Sequence, residues 1–133
     1  MTRTFLDAGV LIAATRGAPE EQDQALSVLR DTDRKFLTSI FLYLEVAPKA
    51  IFHRKQLEHR FYRRYFRGAQ WCNDTRGIAN LARRECAHHG LGAMDGLHTA
   101  AACLLEADEL ITTEKPAKSI YRSTLVRVVY LFQ

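Results

Sequence analysis

Short apolar runs alternate with helical stretches along the whole chain, and that alternation limits the folds open to it more than any other feature. Residues 4–6, 36–38, 70–72, 110–112 and 126–131 read as strands. Between them, apolar spacing predicts helices over 10–15, from Pro19 onward, and over 40–51, 55–67, 78–89 and 93–107, with a helical turn at 118–122. Local signals mark several ends: Pro19 suits a first helical position, Ser39 an N-cap and Gly90 a helix stop. Pro48 is expected to kink or divide the 40–51 helix. Strands feeding helices in this way define an α/β domain with a mostly parallel central sheet and helices on both faces.

A length of 133 residues suits one domain, taken as 1–133, with enough surface to bury a core without staples. Nineteen basic residues against fifteen acidic ones leave a formal charge of +4, compatible with a polyanionic partner. The three cysteines, Cys72, Cys86 and Cys103, are widely spaced and form no C-x-x-C pair, which argues against a disulfide framework or zinc ribbon. Asp7 sits where the apolar part of a signal peptide would begin, and no apolar stretch approaches the ~20 residues that span a bilayer. The expectation is a cytoplasmic protein with no membrane contact.

Four acids stand where a carboxylate is hard to explain. Asp7 follows Phe5-Leu6 and precedes Val10-Leu11-Ile12. Glu45 is embedded in Phe41-Leu42-Tyr43-Leu44-Glu45-Val46-Ala47. Asp95 opens the 93–107 helix, and Glu114 follows Leu110-Ile111-Thr112-Thr113 at a strand's carboxyl end. Singly, each could cap a helix, pair with an arginine or face solvent. Together they imply a shared counter-charge, because burying unpaired carboxylates is costly, and a divalent cation is the usual one. Doubly wound sheets bind ligands at strand carboxyl ends where strand order reverses. Were the first strand to neighbour the one ending at Thr112, Asp7 and Glu114 would line one crevice.

The ordered set of Phe5-Leu6-Asp7-Ala8-Gly9-Val10-Leu11-Ile12, Thr38-Ser39-Ile40-Phe41-Leu42-Tyr43-Leu44-Glu45-Val46, Met94-Asp95-Gly96-Leu97-His98-Thr99-Ala100-Ala101-Ala102 and Leu110-Ile111-Thr112-Thr113-Glu114 resembles the PIN-domain nucleases, especially the toxin-type, VapC-like ribonucleases. The resemblance runs across almost the whole chain. It implies a three-layer α/β/α sandwich, an acidic site using Mg²⁺ or Mn²⁺, RNA cleavage, a small antitoxin partner and a homodimer. It maps the family's first three acids onto Asp7, Glu45 and Asp95. Two positions depart from the pattern: the fourth acid is often aspartate where Glu114 stands, and the residue two after the first acid is often asparagine where Gly9 stands.

Asp7 and Asp95, short side chains at rigid element ends, are expected to hold the metal directly. Glu45 is assigned a water or a second ion, and Glu114 a contact through a bridging water. Thr112 and Thr113 are supporting candidates, for a phosphate or to orient a carboxylate, and His98 lies one turn beyond Asp95. Arg54, Lys55, Arg60, Arg63, Arg64 and Arg67, interleaved with aromatics, offer an RNA-binding segment whose rings could stack on unpaired bases; equally, its aromatics could pack inward. Two other functions compete with an endoribonuclease: a DNA nuclease using the same acids, and a non-catalytic PIN-like module that binds RNA or protein. An aspartyl-phosphate phosphatase needs a second aspartate where Gly9 stands, which sets it aside.

Overall fold

The computed structural model describes every residue from Met1 to Gln133. The chain runs β1 (Thr2–Leu6), α1 (Ala8–Arg16), α2 (Pro19–Leu29), β2 (Arg34–Ser39), α3 (Ile40–Phe52), α4 (Gln56–Gly68), β3 (Gln70–Cys72), α5 (Thr75–His89), α6 (Ala93–Leu104), β4 (Glu109–Thr112), a 3-10 turn (Ser119–Arg122) and β5 (Val128–Tyr130). The sheet order is β3-β2-β1-β4-β5, and all four pairings are parallel. Right-handed crossovers put α1 to α4 on one face and α5 and α6 on the other. This is the three-layer α/β fold expected from the sequence.

Phe5, Leu6, Leu37 and Leu110 are fully buried, as expected of strands covered on both faces. Val10, Leu11 and Ala14 of α1, Leu42 and Val46 of α3, and Ala100 to Ala102 of α6 complete the core. No helix is long and apolar enough to cross a membrane.

Among the differences from the sequence expectation, two have a clear local cause. Pro48 neither divides nor ends α3, which runs unbroken through it. Pro48 and Leu44 are both exposed. They share one helix face, so the Leu44 carbonyl that loses its N–H partner is open to water, which lowers the cost of the proline. The helix expected over 93–107 stops at Leu104, because Glu106 takes a left-handed conformation (φ 57°). Its N–H donates to the Cys103 carbonyl, and that of Ala107 to the Ala102 carbonyl at 2.9 Å, which closes a Schellman cap without glycine.

One buried acid belongs to the scaffold alone. Glu109, at the start of β4, is 5% exposed and accepts hydrogen bonds from the Thr4 hydroxyl (2.7 Å), Arg34 and Arg127 (3.4 Å). Its charge is matched by two guanidinium groups.

Candidate metal centre

The sheet topology explains how acids far apart in sequence meet. β1 pairs with both β2 and β4, so strand order reverses between β1 and β4. The register Leu6↔Ile111 carries Asp7 and Thr112, the next residue of each chain segment, to the same carboxyl edge. A helix runs back against the parallel strand beside it. α3, which follows β2, therefore begins at this edge, and α6, which feeds β4, begins there too. Glu45 lies in the second turn of α3 and Asp95 in the first turn of α6.

Asp7 is the N-cap of α1. Its Oδ1 accepts the Gly9 N–H at 3.0 Å, and its Oδ2 accepts the Thr112 hydroxyl. The Thr112 oxygen in turn accepts the Glu114 N–H at 3.0 Å. Thr112 thus couples the first acid to the backbone of the fourth, and it is fully buried. Burial pushes the Asp7 carboxyl up to about 6, against the pull of the Thr112 bond, His98 and the α1 backbone; Asp95 adds to the rise. Asp95 is also raised, chiefly by burial and then by Glu114 and Glu45. Asp95 is therefore close enough to interact with Asp7, Glu45 and Glu114.

Glu45 behaves differently. Its Oε1 lies 2.8 Å from His98 Nε2, and that hydrogen bond holds its carboxyl below the usual range. His98 is 2% exposed, packs on the Phe5 ring at 5.6 Å, and leaves its Nδ1 buried without a partner. It is the packed histidine considered from the sequence, and it also bonds Glu45. The signal was its place one turn after Asp95, on the same face of α6. Replacing His98 with Ala is expected to destabilise the fold by about 3 kcal/mol, from the lost packing and the lost bond to Glu45. The Glu45 bond contributes above the ordinary value of 4.5 and fades as pH falls below it, so the variant should also lose less stability on acidification; urea melts between pH 3 and pH 7 check both.

Gly9 answers to Thr113. A methyl at Gly9 would overlap the Thr113 hydroxyl and touch its Cβ at 3.2 Å and Cγ2 at 3.3 Å. Rotating the β-branched side chain would only exchange one crowded atom for another. Gly9→Ala is expected to cost about 2 kcal/mol and to be rescued by adding Thr113→Ala, a coupling that a double-mutant cycle in denaturant melts reads directly.

Asp7, Asp95 and Glu114 make no ion pair with lysine or arginine; the site's sole ion pair is His98 with Glu45. The contrast with Glu109 is plain. No three histidine, cysteine, aspartate or glutamate side chains form a ready-made cage. Mg²⁺ needs none, since it keeps several waters and uses one or two carboxylates. Two raised carboxyls and an all-oxygen donor set fit a divalent cation, which Asp7 and Asp95 would hold.

The basic segment is not brought to this centre. Arg60, Arg63, Arg64 and Arg67 are exposed on α4, about half a turn round from Glu58 and Tyr62. Those two residues, with Arg16, Lys49 and Glu45 itself, line one small pocket. Arg54 and Lys55 precede α4 and are exposed. The aromatics of α4 pack inward: Tyr62 is fully buried and Phe66 nearly so, with Tyr65 and Phe66 edge to face at 5.3 Å. Of the two readings of this segment, the inward-packing one describes Tyr62 and Phe66, while Phe61 stays partly exposed.

No protein-family model and no curated protein matches the sequence. Solved structures do. A chain of VapBC-1 from nontypeable Haemophilus influenzae superposes with a TM-score of 0.72 at 16% identity, covering 99% of this chain and 100% of that one. A toxin–antitoxin complex from Klebsiella pneumoniae gives 0.71 at 21% identity, with 98% of each chain covered. VapBC2 from Rickettsia felis, bound to a DNA fragment from its promoter, gives 0.71 at 14%, covering 97% and 98%. The chain thus shares its three-layer α/β fold with chains of these toxin–antitoxin complexes, the fold that the sequence resemblance implied.

Proposed function

We propose that this chain is an endoribonuclease that uses Mg²⁺ or Mn²⁺ to hydrolyse RNA phosphodiester bonds, acting as the toxin of a toxin–antitoxin pair. The observation that carries the reading is the cluster of acids around Asp95 at the switch point, with the Asp7 and Asp95 carboxyls both raised and neither in an ion pair with lysine or arginine. The bound cation would activate a water and neutralise charge on the phosphate. Asp7 and Asp95 would hold it. Thr112 keeps the Asp7 carboxylate turned toward the site through Oδ2. His98 fixes Glu45 through Oε1, which leaves Oε2 to take a proton from the attacking water. The water oxygen bonds to phosphorus, the bond from phosphorus to the departing ribose oxygen breaks, and that oxygen takes up a proton from solvent. Glu114, one methylene longer than aspartate, reaches in through water.

The partner reading has separate support. Chains of the same fold occur in toxin–antitoxin complexes, which favours a small antitoxin here. Leu44, Ile51, Phe52 and Leu57 form an exposed apolar area along α3 and the start of α4, suited to a second copy of the chain.

The test is cleavage of a panel of single-stranded and structured RNAs, with duplex DNA as control, in Mg²⁺, in Mn²⁺ and in EDTA. Cutting of RNA that EDTA stops is the expected result. Preferential cutting of DNA would make it a DNA nuclease. No cutting by folded, partner-free protein would leave a binding module with an acidic pocket.

A further inference from the structure

We propose that the loop from Lys115 to Tyr121 is the substrate-binding edge of the acidic centre: the Tyr121 ring stacks on an unpaired base of single-stranded RNA, and Lys115 and Lys118 take the phosphates beside it. This rests on the nuclease reading above and identifies the residues that hold its substrate. An acidic centre repels the polyanion it must cut, so cations are needed close by. Arg16 and Lys49 share a pocket with Glu45, where Arg16 is paired with Glu58, and the α4 arginines face away from the acids. The loop, by contrast, leaves the sheet directly after Glu114.

Its geometry ties it to the site. The Tyr121 hydroxyl donates to the Glu114 carbonyl at 2.7 Å, while the Glu114 N–H donates to Thr112, itself bonded to Asp7. Both ends of residue 114 are thereby pinned, and the Tyr121 ring is fastened beside the fourth acid. The ring is partly exposed and partly packed on the core. Its phenol is pushed upward by burial and by Tyr130, Asp7 and Glu114, so it stays neutral next to the acids.

Charge points the same way. From Lys115 to Gln133 the chain carries four cations, Lys115, Lys118, Arg122 and Arg127, and no acid. Arg127 pairs with Glu109, and the Arg122 guanidinium lies beside Gly90 at the end of α5. Lys115 and Lys118 are exposed and make no ion pair. The loop is already ordered: Ile120 is fully buried, and the Lys118 N–H closes a turn on the Lys115 carbonyl at 2.9 Å. Binding there costs little further ordering.

The experiment measures binding of a short fluorescent single-stranded RNA of mixed sequence by anisotropy in EDTA, over a range of salt, with cleavage of the same RNA in Mg²⁺ measured in parallel. Tyr121→Leu is expected to weaken binding by about tenfold, the loss of one stacked base, whereas Tyr121→Trp retains it. Lys115→Ala and Lys118→Ala should each make the logarithmic salt slope shallower by about 0.7, the value of one phosphate contact on a single strand. Arg63→Ala with Arg64→Ala should change neither. Circular dichroism melts confirm folding, and the exposed lysines carry the test should Tyr121→Leu unfold. Wild-type cleavage together with undiminished binding by the loop variants overturns this inference and leaves the nuclease standing. Loss of binding in the loop variants of a protein that never cleaves keeps the surface and removes the nuclease. A wild type that neither binds nor cuts removes both.

Discussion

Asp7→Asn is expected to abolish RNA cleavage while making the metal-free protein more stable at neutral pH. The loss should exceed about 100-fold, since removing even an outer partner of a metal ligand costs 10–100-fold. The gain follows from burial. The Asp7 carboxyl sits at about 6 in the fold and at 3.8 in its ordinary state. Between those values the folded chain keeps a proton that the unfolded chain has released, so stability falls as pH rises through the window. Above about 6 both states are ionised and the full cost is present, on the order of 3 kcal/mol. Asparagine escapes that cost and still caps α1 through its side-chain oxygen on the Gly9 N–H. Without metal at pH 7.5 the variant should melt roughly 10 °C above wild type, and the gap should close below pH 4. A variant that melts lower than wild type at pH 7.5 would mean that Asp7 is held by a counter-charge in the protein itself. One that still cuts would remove Asp7 from the chemistry.

The candidate acids stand out in the sequence because Asp7 and Glu45 break a pattern: a charge inside an apolar run violates the periodicity that defines the element. Asp7 and Glu114 also sit at strand ends, and the expected pairing of β1 with β4 is observed. Glu109 shows the limit of that signal. It too is an acid beside an apolar strand, yet Arg34 and Arg127 make it part of the scaffold, and those partners come from other strands. His98 was ambiguous because its role depends on Glu45, fifty-three positions away. The α4 segment left two readings open for a different reason. Composition shows that arginines and rings alternate, but only the packed helix shows that the rings enter the core and the arginines leave it. Pro48 and Glu106 are cases where tertiary context overrides propensity: an exposed helix face tolerates the first, and a completed cap holds the second.

Affinity for Mg²⁺ or Mn²⁺ should be nearly independent of pH above 7 and fall about tenfold per unit below about 6, because Asp7 must lose its proton before it can hold the ion. Asp95 is raised as well, so further acidification should steepen the dependence toward two protons per ion. Glu45, held low by His98, should not contribute within that range. Calorimetric titration with Mn²⁺ between pH 5 and pH 8 reads the slope. Asp7→Asn and Asp95→Asn should each bind more weakly and with a flatter profile. The same linkage acts on stability in reverse. Metal-free wild type loses stability as pH rises from about 4 to 6, whereas saturating metal binds only the ionised fold and therefore stabilises more as pH rises. Melting temperature against pH should thus slope downward in EDTA and upward in excess Mn²⁺. Parallel curves would show that the ion does not sit on these carboxylates. Opposed curves that become parallel in Asp7→Asn would tie the ion to the residue that also ends β1, caps α1 and bonds Thr112.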